Sequence, residues 1–287
     1  MKKGFHDLGI GAGLRHPHFR DIMETAPNIP WFEALTENYL ATEGYPKDCL
    51  MEIADRYPIA LHGVSMSVGS HDSLDLNYIK KLKKMIGEIH PVAVSDHLCW
   101  TGVIGINTHD LLPMPYTDEA LIHCIRRVRQ IQDELGVQIL LENPSSYLAF
   151  KGSVWEEAAF LNTLAIESGC GILLDINNVY VSSKNFGFDP KSYLKHISPD
   201  LVGYMHIAGH SHREGYILDS HVGPIPSEVL KLYHETIKTI GPRPTIVEWD
   251  EDIPELSVLM KEIENVKRTI PTGKATADSE RMRDESF

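Results

Sequence analysis

Eight short apolar runs, each followed by a stretch of helical periodicity or by a polar loop, constrain this chain more than any other feature. The runs are Leu8–Gly11, Trp31–Thr36, Pro58–His62, Ala93–His97, Gln138–Glu142, Gly171–Asp175, Leu201–Ile207 and Thr245–Trp249. Continuous apolar character over so few residues marks strands buried on both faces, which occur in parallel sheets covered by helices. Between them, Leu74–Ile89, Asp118–Leu135, Trp155–Ser168, Ser227–Ile240 and Pro254–Lys267 repeat their apolar positions at helical spacing. Asp118 and Ser227 suit helix N-caps, and Gly136, Gly169 and Gly241 suit C-terminal stops. This alternation predicts an α/β fold, a single (β/α)8 TIM barrel. An open doubly wound sheet would alternate too, but the phosphate-binding spacing G-x-G-x-x-G is missing. Gly9-Ile10-Gly11-Ala12-Gly13 is therefore read as a tight turn at the first strand.

The expected barrel domain spans residues 1–268, and the polar stretch 269–287 is expected to be a disordered tail. Val179–Asp189 is expected to be a long loop on the active face. With 27 basic and 40 acidic residues the formal net charge is −13, which disfavours nucleic acid as a partner. The N-terminus lacks the apolar core of a signal peptide, and no stretch approaches the roughly 20 apolar residues that span a bilayer. The four cysteines (Cys49, Cys99, Cys124, Cys170) are scattered, without a C-x-x-C pair, so neither a zinc knuckle nor a disulfide framework is expected. The expected location is cytoplasmic, with no membrane partner.

The chemistry is concentrated where the runs end. The third ends in His62 and the fourth in Asp96-His97. The fifth ends in Glu142, the sixth in Asp175 followed by Asn177-Asn178, the seventh in His206, and the eighth in Glu248. The segment after His206 carries Asp219-Ser220-His221. Carboxyl ends of barrel strands are where active sites form. A lone histidine there is more often a hydrogen-bonded core residue, but imidazoles and carboxylates at six consecutive strand ends make a ring. Converging carboxylates repel one another unless cations hold them together. Mixed His/carboxylate ligation suits Zn, Mn or Fe better than Mg or Ca, and so many donors exceed the needs of one ion. Two or three ions bridged by a carboxylate such as Glu142 is the natural count.

The order His62, His97, Glu142, Asp175, Asn178, His206, Asp219-x-His221, Glu248 resembles the ligand order of the xylose-isomerase-like barrel superfamily. Endonuclease IV holds three zinc ions on that order, with a histidine where this chain has Asn178. The surrounding words, SDHL at 95–98, ENP at 142–144, LLDINN at 173–178, HIAGH at 206–210 and DSH at 219–221, are similar to another branch. That branch is the multinuclear non-haem iron-dependent oxidases, the family of the methanobactin-biosynthesis oxidase. Glu37-Asn38-Tyr39 fits it as well, and the likeness runs from about Gly4 to Lys267.

The resemblance implies two or three iron ions (Fe2+/Fe3+), dioxygen as co-substrate, and a cysteine-containing precursor peptide made by the ribosome. It also implies a separate leader-peptide recognition protein. The implied grouping is His62, His97 and Glu142 on one iron, Asp175, His206 and Glu248 on a second, and Asn178, Asp219 and His221 on a third. Strand alternation favours Asn177 as the sixth-strand ligand and superfamily spacing favours Asn178. Asp96 and His210 are expected behind the ligands, with His210 a candidate proton donor. Glu33 and Asn38 are candidates for the pocket wall, and Cys99 is expected to be a buried bystander. Two other readings are a divalent-metal sugar isomerase or epimerase, which expects a lysine or a carboxylate pair in the pocket, and an endonuclease IV-like phosphodiesterase, which expects a basic groove.

Overall fold

In the computed structural model, which describes residues 8–270, the eight expected runs close into one parallel barrel. In chain order the strands are β1 (Ile10–Leu14), β2 (Phe32–Leu35), β3 (Ile59–His62), β4 (Ala93–His97), β5 (Trp100–Val103), β6 (Ile106–Leu112), β7 (Leu140–Glu142), β8 (Gly171–Asp175), β9 (Val202–Ala208), β10 (Ser211–Arg213), β11 (Tyr216–Leu218) and β12 (Thr245–Glu248). The barrel runs β1-β2-β3-β4-β7-β8-β9-β12 and back to β1. Two antiparallel hairpins, β5–β6 and β10–β11, are inserted after β4 and β9. Neither hairpin is anticipated by the sequence reading.

The helices are α1 (Phe19–Thr25), α2 (Glu37–Leu40), α3 (Tyr45–Ala54), α4 (Leu76–Ile89), α5 (Asp118–Leu135), α6 (Glu157–Ser168), α7 (Ile176–Phe186), α8 (Pro190–Lys195), α9 (Ser227–Ile240) and α10 (Leu256–Thr269). The longest, α5, shows how the sequence makes them. Leu121, Cys124, Val128, Ile131 and Leu135 recur three or four residues apart and are buried, which turns one face to the barrel. Its N-cap is Thr117, whose hydroxyl accepts from Ala120 N, and not the expected Asp118. Asp118 instead occupies the first turn, where a carboxylate suits the helix dipole. Likewise Pro226, and not Ser227, sits at the cap of α9. Gly136 and Gly169 end α5 and α6 in left-handed geometry as expected. Thr269 closes α10, so it is helical rather than the start of the tail; the rest of that expected tail lies outside the described residues.

Two further expectations are corrected. The glycine-rich segment at 9–13 is mostly strand β1 and not a turn. Its glycines serve close approach: a Cβ on Gly11 would lie 2.5 Å from the Trp31 carbonyl oxygen and 2.7 Å from the indole ring. The segment 179–189, expected as a loop, is helical through Phe186 because Asp175 both ends β8 and caps α7, its side chain accepting from Asn178 N. Asn-Asn-Val-Tyr-Val has poor helix propensity, and a tertiary setting overrides it.

Strand alternation divides the side chains into two layers. Outward residues such as Phe32, Leu61, Val94, Leu141, Leu174, Met205 and Val247 join the helices in the main core. Inward residues Trp31, Ala60, Ala93, Leu140, Leu173, Tyr204 and Ile246 form a separate plug inside the barrel. Trp31 meets Tyr204 edge-on at 5.6 Å and donates from its indole N–H to Gly9 O at 3.1 Å.

Candidate metal centre

Two residues beyond each plug residue the same strand face presents a polar group. Trp31 is followed by Glu33, Ala60 by His62, Ala93 by Ser95 and then His97, Leu140 by Glu142, Leu173 by Asp175, Tyr204 by His206, and Ile246 by Glu248. The period of two that packs the plug therefore builds a polar layer directly above it. All of these side chains are buried, and Glu33, His62, His97, Glu142 and Glu248 line a cavity of about 750 Å3 together with Asn178, Asp219 and His221.

The donor atoms fall into overlapping groups: His62, His97 and Glu142; Glu142, Asp175 and His206; Asp175, His221 and Glu248; and Glu33, His206 and Glu248. The first group matches the implied one. The others differ, because Asp175 stands between His206 and His221 while Glu142 joins the first and second groups. Glu33, a wall candidate by sequence, is 1% exposed and lies 3.0 Å from His206 Nε2.

Each imidazole is pinned through one nitrogen, leaving the other for the centre. His62 Nδ1 lies 2.9 Å from Ser95 Oγ, and His97 Nδ1 3.1 Å from the Gly63 carbonyl. His206 reverses the pattern, with Nε2 on Glu33 and Nδ1 3.0 Å from Glu248 Oε2 and 3.7 Å from Glu142 Oε2. His221 Nδ1 lies 3.1 Å from Asp250 Oδ2, and Nε2 is 2.9 Å from Asp219 Oδ1. Such partners fix tautomer and ring orientation at metal sites. Arg15, which the sequence reading missed because it follows an apolar run as an ordinary strand-end cation, forms a salt bridge with Asp250 and reaches within 3.8 Å of Glu248 Oε1. His221 itself sits at φ +48°, a strained conformation for a non-glycine residue, and a Cβ on neighbouring Gly209 would lie 2.2 Å from Val222 O.

Five buried atoms, Glu142 Oε2, Asp175 Oδ2, Asn178 Oδ1, His206 Nδ1 and Glu248 Oε2, make no hydrogen bond of acceptable geometry although they converge. Buried polar atoms are nearly always paired, so a cluster of exceptions fits cations. The electrostatics agree. Burial pushes the Glu142 carboxyl up to about 7 against the pull of His206. Burial, then the neighbouring charges of Glu142 and Asp219, hold Asp175 well above the carboxylate range. Burial also works against Glu248, but His206 and His221 outweigh it and bring that group down to about 2. His62 is held well below its ordinary value by burial and by His97 and His206. A neutral imidazole beside carboxylates in need of positive charge is the donor set of a metal site.

Asn177 and Asn178 are placed differently. Both belong to the first turns of α7, where strand alternation no longer applies. Asn178 lines the cavity with its Oδ1 unpaired, while its amide donates to Glu142 Oε1 at 3.2 Å. Asn177 faces away, donating to Asp219 Oδ1 at 2.7 Å and meeting His210 Nδ1 at 2.9 Å through its own oxygen. His210 thus reaches the centre only through Asn177, stacked on Tyr180. Asp96 lies outside the donor ring; its carboxylate accepts from Ser65, Met66 and His97 N–H groups and so fixes the loop whose Gly63 carbonyl holds His97. Asn38 lines the cavity mouth. Cys99 is buried and, like the other three cysteines, free.

A closed parallel barrel of eight strands alternating with helices is a (β/α)8 TIM barrel, here with a His/carboxylate ring at the carboxyl ends of its strands. Solved structures agree on that fold. Endonuclease IV from Thermus thermophilus superimposes with a TM-score of 0.61 at 13% identity, covering 91% of this chain and 99% of its own. The 3-keto-D-glucoside 4-epimerase YcjR from E. coli gives 0.59 at 15% identity over the same shares, and a xylose isomerase-like barrel from Mycobacterium smegmatis in complex with magnesium gives 0.59 at 12%, covering 94% and 98%. More narrowly, the chain belongs to the family of RiPP precursor modification enzymes MbnB/TglH/ChrH, whose model matches residues 9–270. It is also 45% identical over 255 residues to a UPF0276 protein of Anaeromyxobacter sp. (strain Fw109-5), covering 89% of this chain and 90% of that one. A UPF0276 protein of Caulobacter vibrioides is 44% identical, with 89% and 92% covered. No helix among the described residues is long and apolar enough to cross a membrane.

Proposed function

We propose that this barrel holds two or three iron ions and uses dioxygen to oxidise cysteine residues of a ribosomally made precursor peptide. The family supplies the peptide-modifying role, and the clustering of unpaired buried donors at the carboxyl ends of the strands carries the metal reading. His62, His97 and Glu142 would hold one ion, Glu142, Asp175 and His206 a second, and Asp175, His221 and Glu248 a third, with Asn178 and Asp219 completing the set. When bound, the iron supplies a Lewis acid that favours the substrate thiolate and an electron source and sink for dioxygen. The protein supplies the rest. Ser95, Gly63, Glu33 and Asp250 keep each imidazole lone pair turned to the centre, the plug closes the barrel below it, and Tyr147 braces the mouth by accepting from Asp219 N at 2.8 Å. A neutral amide such as Asn178 donates weakly to a metal, which suits an ion that must exchange ligands with substrate.

Leader capture is assigned to a separate protein. The sugar epimerase reading comes second: the cavity holds the carboxylates it would need, but the family match is to peptide-modifying enzymes and the epimerase neighbours show the fold alone. The test is metal content of protein purified without chelators or added metal, with a Mössbauer spectrum. Two or more irons per chain with coupled ferric and ferrous signals support the proposal. Stoichiometric zinc, with no cysteine-dependent oxygen consumption after iron reconstitution, sinks it.

A further inference from the structure

Beside the donor cavity lies a second one of about 610 Å3 that the oxidation chemistry leaves unused. The two share Pro113 and Leu148 in their walls, so they are adjoining compartments of one cleft. The second compartment is aromatic, lined by Tyr116, Trp155, Phe186, Phe188 and Tyr193, with Glu157 among them. Trp155 is fixed by its indole N–H, which donates to Asp118 Oδ1 at 2.7 Å.

Glu157 is the informative residue. Tyr193 donates to its Oε1 at 2.8 Å and Tyr116 to its Oε2 at 3.0 Å. Among the described residues no lysine or arginine pairs with it, and its charge is offset by these phenols and by the N-terminus of α6, of which it is the first residue. Burial, opposed by those hydroxyl donors, raises its carboxyl above the usual range, the sign expected of an acid without a cation. Two phenols orient the carboxylate and leave it able to accept more bonds. An apolar side chain entering here would bury that charge unpaired, which is costly, whereas a cation would pair with it and lie against aromatic rings. The net charge of −13 favours the same sign of partner.

We propose that this compartment is a specificity subsite for a basic side chain, lysine or arginine, of the peptide substrate, held between the aromatic wall and Glu157. Because the compartments share a wall, and an extended peptide advances about 3.3–3.6 Å per residue, the basic residue lies within a few positions of the reacting cysteine. The proposal rests on the peptide-substrate reading above, but not on iron or dioxygen.

The test uses fluorescein-labelled heptapeptides with a central cysteine and lysine or norleucine at each flanking position in turn, titrated into the full chain by anisotropy. Lysine is expected to bind at least about tenfold tighter than norleucine at one position, and in Glu157→Gln that preference should shrink to under about threefold. Tyr193→Phe, which keeps the charge, should retain it. No variant is needed for a second check: n-butylammonium chloride should displace the lysine peptide from the wild type, and n-butanol should not. Equal binding of lysine and norleucine at every position, preference for norleucine, a preference undiminished in Glu157→Gln, or no binding of any peptide overturns the proposal. Repeating the titration with serine for cysteine separates the two readings. Lysine preference that survives while cysteine peptides go unoxidised sinks only the oxidase, and oxidation without lysine preference sinks only the subsite.

Discussion

Glu33 controls two imidazoles at once, and Glu33→Gln should expose this. Its carboxylate accepts from Tyr204 Oη at 2.5 Å and lies 3.0 Å from His206 Nε2. Tyr204 Oη is 2.7 Å from Ser95 Oγ, which is 2.9 Å from His62 Nδ1. A carboxylate can only accept, so protons line up toward it from both sides: His62 to Ser95 to Tyr204 to Glu33, and His206 to Glu33. This leaves lone pairs on His62 Nε2 and His206 Nδ1, the atoms facing the centre. A glutamine must turn its amide N–H toward one side. Facing His206, it forces the proton onto Nδ1. Facing Tyr204, it reverses the chain and moves the His62 proton to Nε2, unless Ser95 settles for the Leu61 carbonyl at 3.5 Å. Substitutions behind metal-bound histidines cost about 10–100-fold in affinity, or about 1.4–2.8 kcal/mol. The metal-free protein, relieved of a buried charge, should melt no lower than wild type. Competition against a calibrated chelator measures affinity, and scanning calorimetry measures the apo melting temperature. Unchanged affinity, or parallel losses in affinity and apo stability, would refute the argument.

Four other outcomes are expected. Asp219→Ala or His221→Ala should abolish turnover while circular dichroism reports a folded barrel; full activity in either would remove that pair from the centre. Asn178→Ala should lower metal occupancy measured by elemental analysis more than Asn177→Ala does, since only Asn178 turns a free oxygen to the cavity. Burial holds Glu142 at about 7, so below that pH a cation must displace its proton; metal affinity should fall by up to about tenfold per unit as pH drops below 7, and calorimetry in buffers of different ionisation enthalpy should detect the released proton. Gly209→Ala should displace the Val222 backbone and with it His221, costing about 1–3 kcal/mol in denaturant titrations and lowering metal occupancy.

The barrel was legible because parallel strands buried on both faces leave continuous apolar runs, and each such run in the sequence is a barrel strand within a few residues at its ends. The donor ring was legible for a related reason: a period of two fixes which residue shares a face with the plug, so His62, Glu142, Asp175, His206 and Glu248 could be read from run ends alone. Local signals failed where a distant contact decided the outcome. Gly11 of β1 answers to Trp31, twenty residues away in sequence, and the capping of α7 by Asp175 converted an expected loop into a helix. Arg15 follows β1 and Glu33 lies in β2, strands whose ends carry no metal-binding word, and only barrel closure brings them to Glu248 and His206. Sequence thus determined the period of each strand and the identity of its terminal donor, because both are local. Which donors cluster together, which nitrogen of each imidazole is free, and what second compartment adjoins the centre depend on side chains that meet only across the closed barrel, and the tertiary structure alone decided them.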